Sequence, residues 1–259
     1  MRLDSFLFQN GYFDSRTKAN ESIKKGLVLY DGKPVKPSQN IEDFSKLKII
    51  TEEESFVSNG GYKLQKALKY FKFDVSDMVF ADIGASNGGF TDCLIKNGAK
   101  KIFAIDVGES QLNSSLDFSK IVVLDNTNAR YIDKNTLGQL VDGVVCDVSF
   151  ISLKLIIPTL KKILKDNGVA FLLIKPQFEC GKEFLGNSGI VKSKNVRTKV
   201  CLDIYNFILN ENLTPIDFTV APIREKKNIE YIIMIKNCTK SAMSIENLLN
   251  KIVWGIKWK

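Results

Sequence analysis

Phe80-Ala81-Asp82-Ile83-Gly84-Ala85-Ser86-Asn87-Gly88-Gly89-Phe90 joins an apolar run to a glycine-rich turn. Met78–Ile83 reads as a buried strand, and a helix follows from Gly89. Such a turn lets backbone approach a nucleotide-like ligand closely. The spacing is not G-x-G-x-x-G, which weakens a dinucleotide reading. An acid before the first glycine and a loose Gly/Ser loop suit S-adenosylmethionine better, because that cofactor has an amino-acid end and no pyrophosphate. The next strand carries Asp106, about twenty residues beyond Gly84, where a carboxylate can accept hydrogen bonds from a ribose diol. The candidate cofactor contacts are Asp82, Gly84, Ser86, Gly88, Gly89, Phe90 and Asp106, with Asn128 added beyond the third strand. Any one of these features would also fit an ordinary βα turn. Their combination at this spacing points to a nucleotide-type cofactor.

Outward from this turn, strands alternate with helices. Lys101–Val107 is followed by a short helix, then come Ile121–Leu124 and Gly143–Asp147. A helix spans Leu153–Leu164, a strand Val169–Lys175, and a helix Val196–Asn210. Strands Asp217–Ala221 and Ile229–Lys236 close the pattern around a charged turn. The strands are nearly continuous apolar runs, as buried parallel strands are. The fold class is therefore α/β, a doubly wound Rossmann-like sheet with helices on both faces. Residues 1–54 form a small α+β unit. It has a helix at Leu3–Leu7 stopped by Gly11, and a second helix Ser15–Lys25, capped by Asp14 or Ser15 and ended by Gly26. A hairpin turns through Asp31-Gly32 in type I′ geometry, and Leu47–Ile50 adds a strand. Glu52-Glu53-Glu54 leads into a linker at 55–59, the main domain covers 60–238, and 239–259 is a tail. There Ser244 can cap a helix with Ile245, Leu248, Leu249, Ile252, Val253 and Ile256 on one stripe, flanked by Lys251, Trp254, Lys257 and Trp258.

The chain has 259 residues, net charge +8 and no histidine. A basic balance favours polyanions, nucleic acid or anionic headgroups, without choosing between them. The missing histidine removes Ser-His-Asp and Cys-His catalysis and the usual base near neutral pH. Five cysteines, an odd number with no C-x-x-C pair, argue against a disulfide framework or a cysteine zinc site. No metal is expected. No apolar run approaches a membrane span, and Met1-Arg2-Leu3-Asp4 is no signal peptide, so the reading is cytoplasmic.

Asp147 and Lys175 sit at the carboxyl ends of expected strands, the edge where open α/β sheets bind ligands. Pro176 holds Lys175 extended. A solvated strand end is the bland alternative for either. Lys63, after Gly60-Gly61, and Glu230, opening a strand, would not stand out by spacing alone.

At this point the sequence resembles the TlyA family, S4-domain proteins fused to an FtsJ-like 2′-O-methyltransferase. The resemblance covers residues 1 to about 238. It rests on Arg2-Leu3-Asp4, Ser15-Arg16-x-Lys18-Ala19 and Gly26-x-Val28 in front. Further on it rests on Val57–Leu64, Asp82–Asp92, Asp147–Leu153, Lys175–Lys182 and Asn228–Tyr231. The resemblance implies an S4-like RNA-binding domain and a catalytic set of Lys63, Asp147, Lys175 and Glu230. It also implies S-adenosylmethionine as cofactor and ribosomal RNA or a ribosomal subunit as partner, with a cytidine ribose as target. Asn59 stands where the family commonly has Arg, and Tyr62 where it has His. The family also carries the label haemolysin.

A ribose 2′-OH is a poor nucleophile until it loses its proton, so the tasks are alignment and proton removal. Without histidine, a neutral lysine amine is the base, and the resemblance gives that role to Lys175. Ordinary lysines titrate near 10.4. A second amine and a sulfonium would help such a base shed its proton, whereas Asp147 and Glu230 oppose it and are assigned mainly to orienting the lysines. Arg2, Arg16, Lys18, Lys24 and Lys25 would contact RNA phosphates. Three rivals stand beside this reading: a membrane-active protein using the amphipathic tail, a non-catalytic RNA-binding protein, and an NAD-dependent oxidoreductase.

Overall fold

A computed structural model describes residues 2–13, 15–50, 56–109, 111–186, 188–224, 226–238 and 241–254, the side chains of 253 and 254 excepted. The expected Asp14 cap, the acidic 52–54 run and the distal tail, including Trp258, lie outside these residues. The chain forms two compact units, Met1–Ser55 and Phe56–Lys259.

In the first unit, α1 (Leu3–Gln9) and α2 (Arg16–Lys24) precede β1 (Val28–Tyr30), β2 (Lys33–Pro34) and β3 (Leu47–Ile49), with sheet order β2-β1-β3. Leu3 and Leu7, and Ala19 and Ile23, are i,i+4 pairs, so each helix offers one apolar stripe. They pack with Val28 and Ile41 into one core. The Ser15 hydroxyl caps α2 by accepting from Lys18 N–H. Asp31 and Gly32 have φ of 51° and 74°, the two left-handed residues of a type I′ turn, and Tyr30 pairs with Lys33 across it. Asp4 is buried, and its carboxylate accepts from Arg2 at 3.0 and 3.1 Å and from Arg16 at 3.2 Å. These guanidiniums hold its pKa well below the usual carboxylate range.

The second unit contains α3 (Asn59–Phe71), β4 (Val79–Ile83), α4 (Gly89–Lys96), β5 (Lys101–Ile105), β6 (Ile121–Leu124), α5 (Lys134–Leu137) and β7 (Val141–Cys146). It continues with α6 (Ile157–Ile163), β8 (Leu164–Ile174), α7 (Pro176–Glu179), α8 (Lys194–Asn210), β9 (Thr214–Val220), β10 (Tyr231–Lys236) and α9 (Ile245–Trp254). Sheet order is β6-β5-β4-β7-β8-β10-β9, and β10 runs antiparallel to both neighbours. Strand residues alternate between two cores. Ala81, Ile83, Val144, Cys146, Leu172 and Ile174 face α6, α8 and α9, while Phe80, Val145, Phe171 and Leu173 face α3 and α4. Both faces are covered, which is why these strands read as unbroken apolar runs.

Several expected boundaries shift. Residues 56–59, expected in a linker, belong to the second unit: Val57 N–H donates to Asp92 at 2.8 Å and α3 begins at Asn59. Among the described residues no α-helix separates β5 from β6. The Gly and Asn/Ser-rich segment there resolves into turns and one 3-10 turn at Phe118–Lys120. Pro158 delays α6, so a separate 3-10 turn covers Leu153–Leu155. The tail helix packs on its own unit: Leu248 and Ile252 are fully buried, and Lys251 pairs with Asp217.

Candidate active site

The chain leaves β4 toward β5 and β6, then returns to lay β7 and β8 on its other side. The carboxyl ends of β4 and β7 therefore bound a crevice. Asp147 follows β7, and its N–H donates to the Ile83 carbonyl at 3.0 Å. Gly84 follows β4 with φ +83°, and a Cβ there would lie 2.9 Å from the Asp147 carbonyl oxygen. Left-handed backbone and this close approach both require glycine. Lys175 follows β8 with φ −110° and ψ 97°, the extended conformation its following proline imposes. Lys63 projects from α3, one turn beyond Asn59. Glu230 lies just before β10, where its carbonyl accepts from Ala221 N–H at 2.9 Å.

These four side chains meet. Lys63 Nζ is 2.6 Å from Glu230 Oε2 and 3.9 Å from Asp147 Oδ2. Lys175 Nζ is 2.5 Å from Asp147 Oδ1 and donates to Ser149 Oγ at 2.8 Å. The order Glu230–Lys63–Asp147–Lys175 alternates charge and sums to zero. All four side chains are between 10% and 19% exposed, so each charge needs the neighbour it has.

The turn α7 ties this cluster to its surroundings. Gln177 Nε2 donates to Glu230 Oε1 at 3.3 Å. Glu179 accepts from the Ser152 hydroxyl at 2.6 Å and from Leu153 N–H at 2.8 Å, and burial raises its carboxyl pKa. Between these anchors Phe150 has φ +63° and is 91% exposed, with its ring 4.9 Å from that of Phe178.

A cleft of about 160 Å³ adjoins the cluster. Its lining includes Ser58, Gly60, Ser86, Gly89, Asp147 and Lys175. A Cβ on Gly89 would lie 2.1 Å from Ser58 Oγ and 3.1 Å from Gly61 N. Glycine there lets the amino ends of α3 and α4 converge on one wall, where free N–H groups favour an anionic end such as a carboxylate. Asp106 accepts from Ser86 N–H at 2.9 Å and from Gly108 N–H at 3.1 Å. Each of its oxygens keeps acceptor capacity for a diol. The donor set and the glycine-permitted approach fit S-adenosylmethionine.

The expected cofactor residues divide. Gly84, Ser86, Gly89 and Phe90 line the cleft. Asp82 supports it from beneath: it is 1% exposed, accepts from Thr91 Oγ1 at 2.6 Å, and burial, with Asp147 and Asp106 adding to it, pushes its carboxyl up to about 7. Gly88 has φ +85° and faces Leu112 and Leu116 rather than the cleft. Asn128 Oδ1 accepts from Arg130 N–H and Nε, forming a local turn after β6. Sequence reasoning assigned no role to Ser58, Gly60, Ser149, Gln177 or Glu179. All lie inside the quoted signatures, and that recurrence was the signal that could have found them. In the first unit Arg2 and Arg16 share Asp4, and Lys18, Lys24 and Lys25 are exposed on α2 and its end.

A family model described as FtsJ-like methyltransferase matches residues 56–237, and an S4 domain model matches residues 1–44. Hemolysin A of Brachyspira hyodysenteriae is 37% identical over 236 residues, covering 90% of this chain and 98% of its own length. The 16S/23S rRNA (cytidine-2′-O)-methyltransferase TlyA of Mycobacterium tuberculosis is 36% identical over 251 residues, covering 95% and 94%. A solved, hemolysin-named chain from Streptococcus thermophilus is 36% identical with a TM-score of 0.73, covering 99% of this chain and 97% of that one.

Proposed function

The chain belongs to the FtsJ-like methyltransferase family, and from that premise we propose that it methylates the ribose 2′-OH of a cytidine in ribosomal RNA. S-adenosylmethionine is the methyl donor in this reading. The observation that carries it is the alternating Glu230–Lys63–Asp147–Lys175 cluster beside a glycine-lined cleft. Relatives named as cytidine-2′-O-methyltransferases support the substrate, and the S4 match supports an RNA partner.

The cofactor, when bound, supplies a methyl group made electrophilic by its sulfonium. The protein's own work concerns the proton and the alignment. Lys175 Nζ, in its neutral form, takes the proton of the 2′-OH as the new C–O bond forms. Asp147 and Ser149 fix the direction of that amine through contacts of 2.5 and 2.8 Å. Lys63, held by Glu230, keeps a second positive charge beside Asp147 and shares that carboxylate with Lys175. The exposed ring of Phe150 offers an apolar face at the mouth of the site for a base to stack on.

In this reading the first unit places the RNA through Arg2, Arg16, Lys18, Lys24 and Lys25, and the second unit, from Phe56, carries the chemistry. α9 packs against β9 through Leu248 and Ile252. Among the described residues no helix is long and apolar enough to cross a membrane. The test is to map ribose methylation on ribosomal RNA from cells with and without the protein, and from cells carrying Lys175→Ala. One 2′-O-methyl site that disappears in both the deletion and the variant is the expected result. An unchanged map sinks the proposal.

A further inference from the structure

The four-residue cluster balances its own charges and leaves the substrate's unanswered. A ribose whose 2′-OH reaches Lys175 brings a phosphate on the adjacent carbon and another on the 5′ side. Lys63 and Lys175 cannot serve both, because Glu230 and Asp147 already neutralise them. Some other cations must meet those phosphates.

The loop between β9 and β10 supplies them. Pro222-Ile223-Arg224-Glu225-Lys226-Lys227-Asn228 carries three cations against one acid and ends two residues before Glu230. Arg224, Lys226 and Lys227 are exposed, and among the described residues none is ion-paired to a carboxylate. The loop is pinned at both ends. Arg224 donates to the Asn59 carboxamide oxygen at the start of α3. Asn228 accepts from Val191 N–H at 2.8 Å and donates to the Gly189 carbonyl at 2.9 Å. Asn59 and Lys63 are i and i+4 on α3, so the guanidinium contact sits about 5–6 Å along the helix face from a cluster lysine. Ser58 and Gly60, on either side of Asn59, line the cleft.

We propose that Arg224, Lys226 and Lys227 form a phosphate-binding rim on the catalytic unit that grips the RNA backbone beside the target nucleotide. The inference rests on the ribosomal RNA reading above and goes beyond it by giving the catalytic unit its own RNA track. A pinned loop loses little freedom on binding, and a guanidinium fork suits a phosphate well. An ordinary solvated turn would not be tied to the cleft wall through one of its own cations.

The salt dependence of RNA affinity reads the number of phosphate contacts directly. Each contact contributes about 0.7–0.9 to the slope of log affinity against log salt. Between 50 and 200 mM salt that is roughly threefold per contact, so three contacts amount to roughly 20- to 40-fold. The full-length protein is titrated with a ribosomal RNA fragment across that range, as wild type and as the Arg224→Gln/Lys226→Gln/Lys227→Gln variant. Anionic phosphatidylglycerol vesicles form a parallel arm, and calorimetry with S-adenosylmethionine checks that the cleft is intact. The expected result is a salt slope shallower by about two to three, with cofactor affinity unchanged and Arg224→Lys close to wild type. If the triple variant loses cofactor binding, Lys226→Gln and Lys227→Gln alone must each lower the slope by nearly one. An unchanged slope overturns the proposal, as does a loss confined to vesicles. Failure of the underlying reading is separable: wild type would then leave ribosomal RNA unmethylated whatever its salt slope.

Discussion

Replacing Lys175 by arginine and by alanine separates its chemical role from its structural one. Arginine keeps a positive charge beside Asp147 but does not give up its proton at accessible pH, so it cannot act as a base. Removing general-base catalysis costs about 10²–10⁴ in rate, or roughly 2.7–5.4 kcal/mol of barrier. Alanine loses the same chemistry and also strips Asp147 of its 2.5 Å partner, leaving Lys63 at 3.9 Å. Breaking a buried pair costs about 3–5 kcal/mol. Asp147 is 19% exposed and keeps its weaker partner, which places the cost near the low end, about 3 kcal/mol. At about 2–4 °C per kcal/mol for a domain of this size, the melting temperature of the alanine variant falls by roughly 6–12 °C. The arginine variant stays within about 2 °C of wild type. Single-turnover methyl transfer to ribosomal RNA and thermal unfolding with bound cofactor absent give the two readouts. An arginine variant within tenfold of the wild-type rate would remove Lys175 from the base role. Equal destabilisation by both substitutions would remove the ion pair from the stability argument.

Glu179→Ala frees the segment that carries Ser149 and Phe150. Michaelis kinetics should show KM for RNA rising about tenfold or more, with Glu179→Gln restoring most of it because an amide can still accept from Leu153 N–H. A Glu179→Ala variant with wild-type KM would argue against this positioning role. Gly84→Ala combines left-handed strain with a 2.9 Å approach to a backbone oxygen, so at least about 1–2 kcal/mol of stability is lost. Cofactor affinity measured by calorimetry should fall with it. Asp82 titrates near 7 when folded and near 3.8 when unfolded. The folded state holds that proton more tightly, so this group's contribution is greatest below about pH 4 and is lost as pH rises through 7. Asp82→Asn should remove a slope of about 1.4 kcal/mol per pH unit over that window. Urea titrations of both proteins at pH 5, 6 and 7 test the difference, and parallel curves would refute it.

The sheet was legible in the sequence because burial on both faces leaves strands with no polar alternation to confuse. Phe80, Phe171 and Leu173 face one core while Ile83, Leu172 and Ile174 face the other, so nearly every position in these runs had to be apolar, the buried Asp82 of β4 excepted. The hairpin at Asp31-Gly32 was legible for a different reason: two consecutive left-handed residues admit few sequences. The segment between β5 and β6 misled, since its scattered apolar residues resemble a short helix. Leu112 and Leu116 are instead spent on covering the Gly88 turn, a tertiary use that local periodicity does not encode. The start of the catalytic unit was missed by a few residues because Val57 is held by Asp92, 35 positions away.

The site shows a sharper division. Strand ends are predictable, so the apolar runs that precede Asp147 and Lys175 are enough to place both on one edge of a parallel sheet. Lys63 and Glu230 could not be placed that way. Lys63 needs the start of α3 to lie close against α4, where a Cβ on Gly60 would come 3.3 Å from the Phe90 ring and one on Gly89 3.2 Å from Gly60 Cα, while Gly61 leaves room for the Phe56 ring just ahead of the helix. Glu230 needs β10 to insert antiparallel between β8 and β9, a pairing set by register, Tyr231 against Ile174, rather than by any local signal. In both cases the functional side chain is polar and its placement is decided by small or apolar residues elsewhere. Motif recognition supplied these two positions without a mechanism, and the packing now gives one. It follows that Gly61→Ala, which would put a Cβ 2.3 Å from the Phe56 ring, should impair methyl transfer without touching a single charged group. The rate loss should come with a displaced Lys63, visible as diminished coupling in a Lys63→Met/Glu230→Gln double-mutant cycle built on the Gly61→Ala background. If the coupling persists at its wild-type size while the rate falls, the glycine contact does not act by placing the lysine.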